Sequence, residues 1–218
     1  MTKARSKVTK LYNGMSPNGA RVFVFLQEKG IEIPVEMIDI PGGGTRTEAF
    51  SKLNSLGQVP VLELDDGSHL AESVAICRYL ESLYPEPALF GQTDKEKAFV
   101  DMWCRRMELW LFNVAGDVGL HEIPFFAEVV NQNADYAADR REVYLHRLKW
   151  LNDELADGRT YLVNDRFSMA DIIGMGMLLV AAFVNLHVPE TLVHAKRWEA
   201  ALMARGSFPK MPGSADAS

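Results

Sequence analysis

Residues 54–80 place a strand with a proline at its entry, a hairpin turn and a helix start in unbroken succession. The strand reads Val59-Pro60-Val61-Leu62-Glu63-Leu64. Proline has no N–H to give a sheet ladder, so Pro60 belongs at a strand's first residue, at a sheet edge, or in a turn as a cis bond. Asp65-Asp66-Gly67 follows, and Asp-Gly between two β-prone runs is a strong hairpin signal. A second short strand is expected over 68–71, after which Glu72-Ser73 opens a helix. The first N–H groups of a helix have no intrahelical acceptor, which makes that end ready for an anion such as a carboxylate. Together these elements predict a pocket for a small peptide-like acid.

Size and composition bound the rest. At 218 residues the chain lies between one large domain and two small ones, with ample length for a core. Its hydrophobic fraction of 48% and charged fraction of 24% are ordinary for a globular protein. A net charge of −6 argues against a nucleic-acid partner. The basic residues Lys3, Arg5, Lys7 and Lys10 gather at one end, too few to overturn that. The most apolar stretch, 172–186, is interrupted by Gly174, Gly176 and Asn185 and reads as a buried helix, so no membrane association is expected. The N-terminus lacks the apolar core of a secretory signal. Cys77 and Cys104 are far apart, without metal-ligand spacing. A cytoplasmic protein with no structural disulfide and no metal is expected.

The pattern along the chain changes once. Residues 8–12 read as a strand broken by Asn13-Gly14. A helix follows Ser16-Pro17-Asn18-Gly19, with Val22, Phe25, Leu26 and Lys29 on one face and Gly30 as its stop. Residues 34–40 are strand-like, Gly42-Gly43-Gly44 is loop, and 47–53 is a short helix. The hairpin and a helix over 73–83 complete the order β-α-β-α-β-β-α, a parallel crossover joined to an antiparallel hairpin. Tyr84-Pro85-Glu86-Pro87 stops that helix. The predicted domains are 1–84, a linker over 85–94, and an all-helical domain over 95–218 with a disordered tail after Pro212. Val100, Trp103, Cys104, Met107 and Leu111 line one helix face, Tyr144, Leu148, Leu151 and Leu155 a second, and Ile172, Gly176, Leu179 and Phe183 a third. Ser168 to Asp171 reads as a capping box, a structural device.

Three of these blocks resemble the cytosolic glutathione transferases, over roughly 9–205. Gly57-Gln58-Val59-Pro60 is similar to the family's cis-proline strand, where the residue before the proline pairs with the cysteinyl part of glutathione. Glu72-Ser73 is similar to the pair that holds the γ-glutamyl end. Phe167 to Asp171 is similar to the helical domain's folding motif. The resemblance implies a fold of α/β plus all-α type: an N-terminal thioredoxin-like βαβαββα domain followed by an all-helical one. It implies a detoxifying transferase that uses glutathione as co-substrate, a small hydrophobic electrophile or disulfide as second substrate, and a homodimer.

The chemistry of the tripeptide agrees. Its extended backbone suits an open strand edge. Glu72 is expected to neutralise the ammonium, and Ser73 with its helix start to meet the γ-glutamyl carboxylate. Gln58, Val59 and Pro60 are expected to hold the backbone, and Arg46 beside Thr45 the glycyl carboxylate. Only the thiolate is a nucleophile, and a free thiol titrates near ~8.5, so the site must favour the anion. In the family the loop after the first strand activates the thiol. Here Ser16 and Asn18 are the candidates, Tyr12 being read as core, and the Ser-Pro-Asn-Gly run is similar to that of the bacterial nu-class members. The choice between Ser16 and Asn18 stays open. Met15, Met107 and Trp110, with Phe112 and Phe125, are expected to wall the second substrate's pocket.

Two other readings stand beside the transferase. One is a nu-type glutathione-dependent disulfide reductase or peroxidase, using no cysteine of its own. The other is a non-catalytic transferase-fold interaction module, which the intact Glu72-Ser73 pair disfavours.

Overall fold

The computed structural model describes residues 8–209. Lys3, Arg5, Lys7 and the tail after Pro212 lie outside the described residues. The chain divides into two compact units, Met1–Leu89 and Phe90–Ser218.

In the first unit a four-stranded sheet is built in the order β2-β1-β3-β4. Its strands are β1 (Val8–Asn13), β2 (Val35–Met37), β3 (Val61–Leu64) and β4 (His69–Ala71). β1 runs parallel to β2 and antiparallel to β3, and β3 pairs antiparallel with β4. Helices α1 (Pro17–Lys29), α2 (Glu48–Ser51) and α3 (Ser73–Leu83) complete the expected βαβαββα order. The hairpin closes where expected. Gly67, at φ 79°, donates its N–H to Leu64 O at 3.0 Å, and Asp66 accepts from the Ser68 N–H at 2.9 Å.

Side-chain alternation splits the sheet into two faces. Tyr12 and Val61, paired in register, meet Phe50 and Val59, with Ile38, Ile40 and Leu53 around them. Leu11 and Leu62, also paired, point to the opposite face, and both are fully buried. α3 packs on β3 and on α1. The buried Lys29 ammonium ties the two helices together, meeting the Glu81 carboxylate at 2.5 Å and the Tyr84 carbonyl at 2.7 Å.

Two boundaries differ from expectation. β2 is three residues long rather than spanning 34–40. The last ladder bond, Ile38 N–H to Asn13 O at 2.7 Å, is followed by a turn in which Asp39 accepts from the N–H groups of Gly42 and Gly44. Thr45 and Arg46 belong to a separate 3-10 turn, Gly44–Arg46, and α2 starts after its own cap, Thr47, which accepts from the Phe50 N–H at 3.1 Å.

The second unit is helical: α4 (Asp94–Arg106), α5 (Asn113–Glu122), α6 (Ala134–Glu154), α7 (Met169–Phe183) and α8 (Val193–Met203). The three predicted helix faces are buried, except that Phe183 is exposed at the end of α7. α4 and α5 are joined without a break by a π-helical stretch, Met107–Phe112. Nothing in the residue pattern signals that widening, which Arg147 stabilises by donating to the Trp110 carbonyl at 2.9 Å. The Ser168–Asp171 capping box is formed. Asp171 also accepts from the Leu162 N–H at 3.1 Å and from Trp198 Nε1 at 3.0 Å. Trp198 lies so close to Gly174 that a Cβ there would stand 2.4 Å from its ring, so only glycine lets α8 approach. No helix among the described residues is long and apolar enough to cross a membrane.

Candidate active site

Strand register gathers the predicted residues at one end of the sheet. Tyr12 is opposite Val61, so the end of β1 adjoins the start of β3. Val61 is also opposite Ala71, so the end of β4 adjoins that same start. Asn13 is opposite Met37, which brings the exit of β2 alongside. The loop carrying Ser16 and Asn18, the Gln58-Val59-Pro60 turn, the Glu72-Ser73 helix start and the segment leading to Arg46 therefore leave the sheet at one end.

Each block is held by local chemistry. Ser16 is the N-cap of α1, extended at φ −147°, and its Oγ accepts from the Gly19 N–H at 3.0 Å. Pro17 follows at the first helical position, where its missing N–H costs nothing. Because the Ser16 hydroxyl accepts from the backbone, its proton remains to be donated elsewhere. Asn18 stands in the first turn, half-buried. The loop is stapled from below by Asn13, which is fully buried. Its Nδ2 donates to Gly19 O at 3.1 Å and its Oδ1 accepts from the Gly14 N–H at 2.9 Å. The sequence pattern makes Asn13 a strand breaker. It is instead the last residue of β1, and Asn-Gly at a strand exit was the one signal that pointed to it.

Tyr12 is engaged within the sheet. Its hydroxyl donates to Glu63 Oε2 at 2.8 Å. That bond, with partial burial, raises its pKa above the usual tyrosine value, so the phenol keeps its proton.

At the other end of the row, Glu72 precedes α3 with φ 71° and ψ 115°, a backbone conformation that favours glycine. Its side chain caps nothing and is exposed. A non-glycine residue held there costs on the order of 1–3 kcal/mol, and such strain concentrates at functional sites. Ser73, the first residue of α3, is buried, and its Oγ lies 3.4 Å from Arg21 Nη1. Between these ends the Val59–Pro60 peptide is cis. Gln58 is exposed, and its carbonyl accepts from Asn54 Nδ2 at 2.8 Å. Gly57, at φ 62°, lies against the Thr45 carbonyl, which links this turn to the 3-10 segment ending at the exposed Arg46. Among the described residues no group of three or more His, Cys, Asp or Glu is placed to hold a metal ion.

Residues 15–83 match the model of the glutathione S-transferase N-terminal domain, and 102–206 that of its C-terminal domain. The chain belongs to the glutathione S-transferase family. Over 213 residues it is 33% identical to glutathione S-transferase 2 of Saccharomyces cerevisiae, across 96% of this chain and 91% of that protein. A glutathione S-transferase domain-containing protein from Marinobacter aquaeolei VT8 superposes with a TM-score of 0.84 at 34% identity, covering 92% of this chain and 100% of that one. A glutathione S-transferase of Methylobacillus flagellatus with GSH bound has a TM-score of 0.76 at 25% identity, over 91% of this chain and 96% of that one.

The residues expected to wall this transferase's second pocket fare differently. Met15 is 72% exposed on the loop that carries Ser16. Trp110 is 48% exposed on the π-helical stretch, its ring centred 5.4 Å from that of Trp150, with the Arg147 guanidinium 5.3 Å away. Met107 corrects the expectation. It exposes none of its surface and shares the buried face of Val100, Trp103 and Cys104, so it serves the core. Cys77 and Cys104 are both buried, and neither is in a disulfide.

Proposed function

We propose that this transferase lays glutathione across the end of its N-terminal sheet and directs the thiolate at an electrophilic carbon of a small hydrophobic molecule. The observation that carries the reading is the register that gathers three blocks at one sheet end. The exits of β1 and β4 are two strand spacings apart, roughly 10 Å. An extended tripeptide is about as long, at ~3.5 Å per residue. In this reading the γ-glutamyl ammonium meets Glu72 and its carboxylate meets Ser73 and the α3 start. The cysteinyl backbone pairs at Val59 beside Gln58 and Pro60, and the glycyl carboxylate faces Arg46. The sulfur then falls toward Ser16 and Asn18, whose donors lower the free energy of the thiolate at the positive end of α1. The relative solved with GSH bound supports the choice of ligand. Met15, exposed on the loop that carries Ser16, is the proposed contact of the second substrate, and the working assembly is a homodimer, which light scattering tests.

A second reading uses the same site. Both cysteines are buried, so either reaction must take its sulfur from glutathione. One glutathione thiolate attacking a small organic disulfide gives a mixed disulfide and expels one organic thiolate; a second attacks the glutathione sulfur of that mixed disulfide, giving glutathione disulfide and expelling the other organic thiolate. Retention on immobilised glutathione tests the shared site, and failure to bind removes both readings. Parallel assays with a chloronitrobenzene and with a small organic disulfide then decide between them.

A further inference from the structure

Arg21 has no place in the chemistry so far, yet it is a cation 2% exposed, on the inward face of α1 one turn before the buried Phe25. Its Nη1 reaches Ser73 Oγ at 3.4 Å, the long end of the hydrogen-bond range. We infer that Arg21 is a positioning residue for the acid end of the ligand, holding the Ser73 hydroxyl from behind so that its proton points toward the incoming carboxylate. This rests on the glutathione site proposed above and assigns a residue to it that touches no ligand.

Donors and acceptors decide which way the Ser73 proton points. A guanidinium donates only and keeps its charge at any pH a protein meets. A serine hydroxyl has one proton and two lone pairs. Facing Arg21, Ser73 Oγ must accept, and its proton is left for the opposite side. There the N–H groups of the first turn of α3 also lack intrahelical acceptors. No side chain, that of Glu72 included, bonds to the N–H groups at that end, so they stay open to an anion. The buried charge of Arg21 favours that anion from a place water does not screen well. The sulfur site, by contrast, lies at the far end of the row. Arg21 therefore acts on binding of the carboxylate and not on the chemical step.

The test compares glutathione with 4-aminobutyryl-cysteinylglycine, which lacks the γ-glutamyl carboxylate but keeps the amine and the thiol. Affinities are measured for the full-length wild type, Arg21→Gln, Arg21→Lys, Ser73→Ala and the double variant Arg21→Gln/Ser73→Ala. The wild type is expected to prefer glutathione at least tenfold. Arg21→Gln is expected to lose about tenfold on glutathione and less than twofold on the analogue, with kcat at saturating glutathione unchanged. Arg21→Lys is expected to recover part of the loss, and in the Ser73→Ala background the Arg21 substitution costs less. Equal losses on both ligands, or a fall in kcat at unchanged KM, overturn the role of Arg21. Failure of both Arg21 variants to fold marks the residue as structural and overturns it too. A wild type that binds both ligands equally, or neither, overturns instead the glutathione site on which the inference rests.

Discussion

Asn13 and Gly19 interlock across the loop that carries Ser16 and Asn18. Asn13 Nδ2 donates to the Gly19 carbonyl at 3.1 Å, and a Cβ on Gly19 would stand 2.2 Å from Asn13 Oδ1 and 2.6 Å from the Gly14 carbonyl. The loop has room for one geometry, set by a buried amide below it. Gly19→Ala is therefore expected to displace the loop, lowering stability by about 1–3 kcal/mol. Displacement of roughly 1 Å costs catalysis on the order of a hundredfold. Thermal melts together with kcat/KM on a chloronitrobenzene check this; an unchanged kcat/KM removes Asn13 and Gly19 from the positioning of the thiol.

Ser16 does two jobs that substitution separates. Its Oγ caps α1 through the Gly19 N–H, and loss of such a cap to alanine costs about 1 kcal/mol, to glycine only a few tenths. Ser16→Gly is thus expected to keep most of the stability that Ser16→Ala loses. If Ser16 is the activating donor, both raise the pKa of bound glutathione, followed by ultraviolet absorbance of the thiolate. Asn18→Ala gives the complementary measurement. A thiol pKa untouched by all three variants removes this loop from activation.

Glu72 is predicted to trade stability for binding. Glycine accepts the backbone angles of φ 71° and ψ 115° without the strain that Glu72 bears. Glu72→Gly is expected to stabilise the chain by about 1 kcal/mol. It is expected to weaken glutathione roughly tenfold through the lost ammonium partner. Glutaryl-cysteinylglycine, which lacks the ammonium, should bind both forms alike. Unequal loss on that analogue contradicts the assigned partner.

Asp171 gives a pH dependence of known sign. Burial pushes its carboxyl up to about 6, against the opposing pull of donors from Trp198, Leu162 and Ser168. Between about pH 4 and pH 6 the native state holds a proton that the unfolded chain has released. The contribution of this group is therefore fully present below pH 4, falls as pH rises through 6, and is flat above. The fall is on the order of 3 kcal/mol. Asp171→Asn is expected to lower stability overall and to flatten that slope in denaturant titrations. A slope surviving the substitution locates the titration elsewhere.

Local sequence was enough for the parts of this protein that local rules govern. The Asp66-Gly67 turn, Pro60 at its strand entry, the Ser16 and Ser168 caps and the periodicity of Val100, Trp103 and Leu111 all depend on neighbours a few residues away. The family blocks are equally local, and they made Glu72-Ser73 and Val59-Pro60 legible as the proposed ligand site. What only the tertiary structure decided depends on residues distant in sequence. Met107 has the pattern of a pocket wall and of a core residue alike, and packing made it core. The π-helical widening at Trp110 is held by Arg147 from another helix. Asn13 reads as a strand breaker until Gly19 folds over it, and no pattern around Arg21 points to Ser73, 52 positions later, which the fold sets against it. Periodicity tells which side of an element is buried; it does not tell what lies across the gap, and hydrogen bonds across that gap are what turn a binding segment into a site.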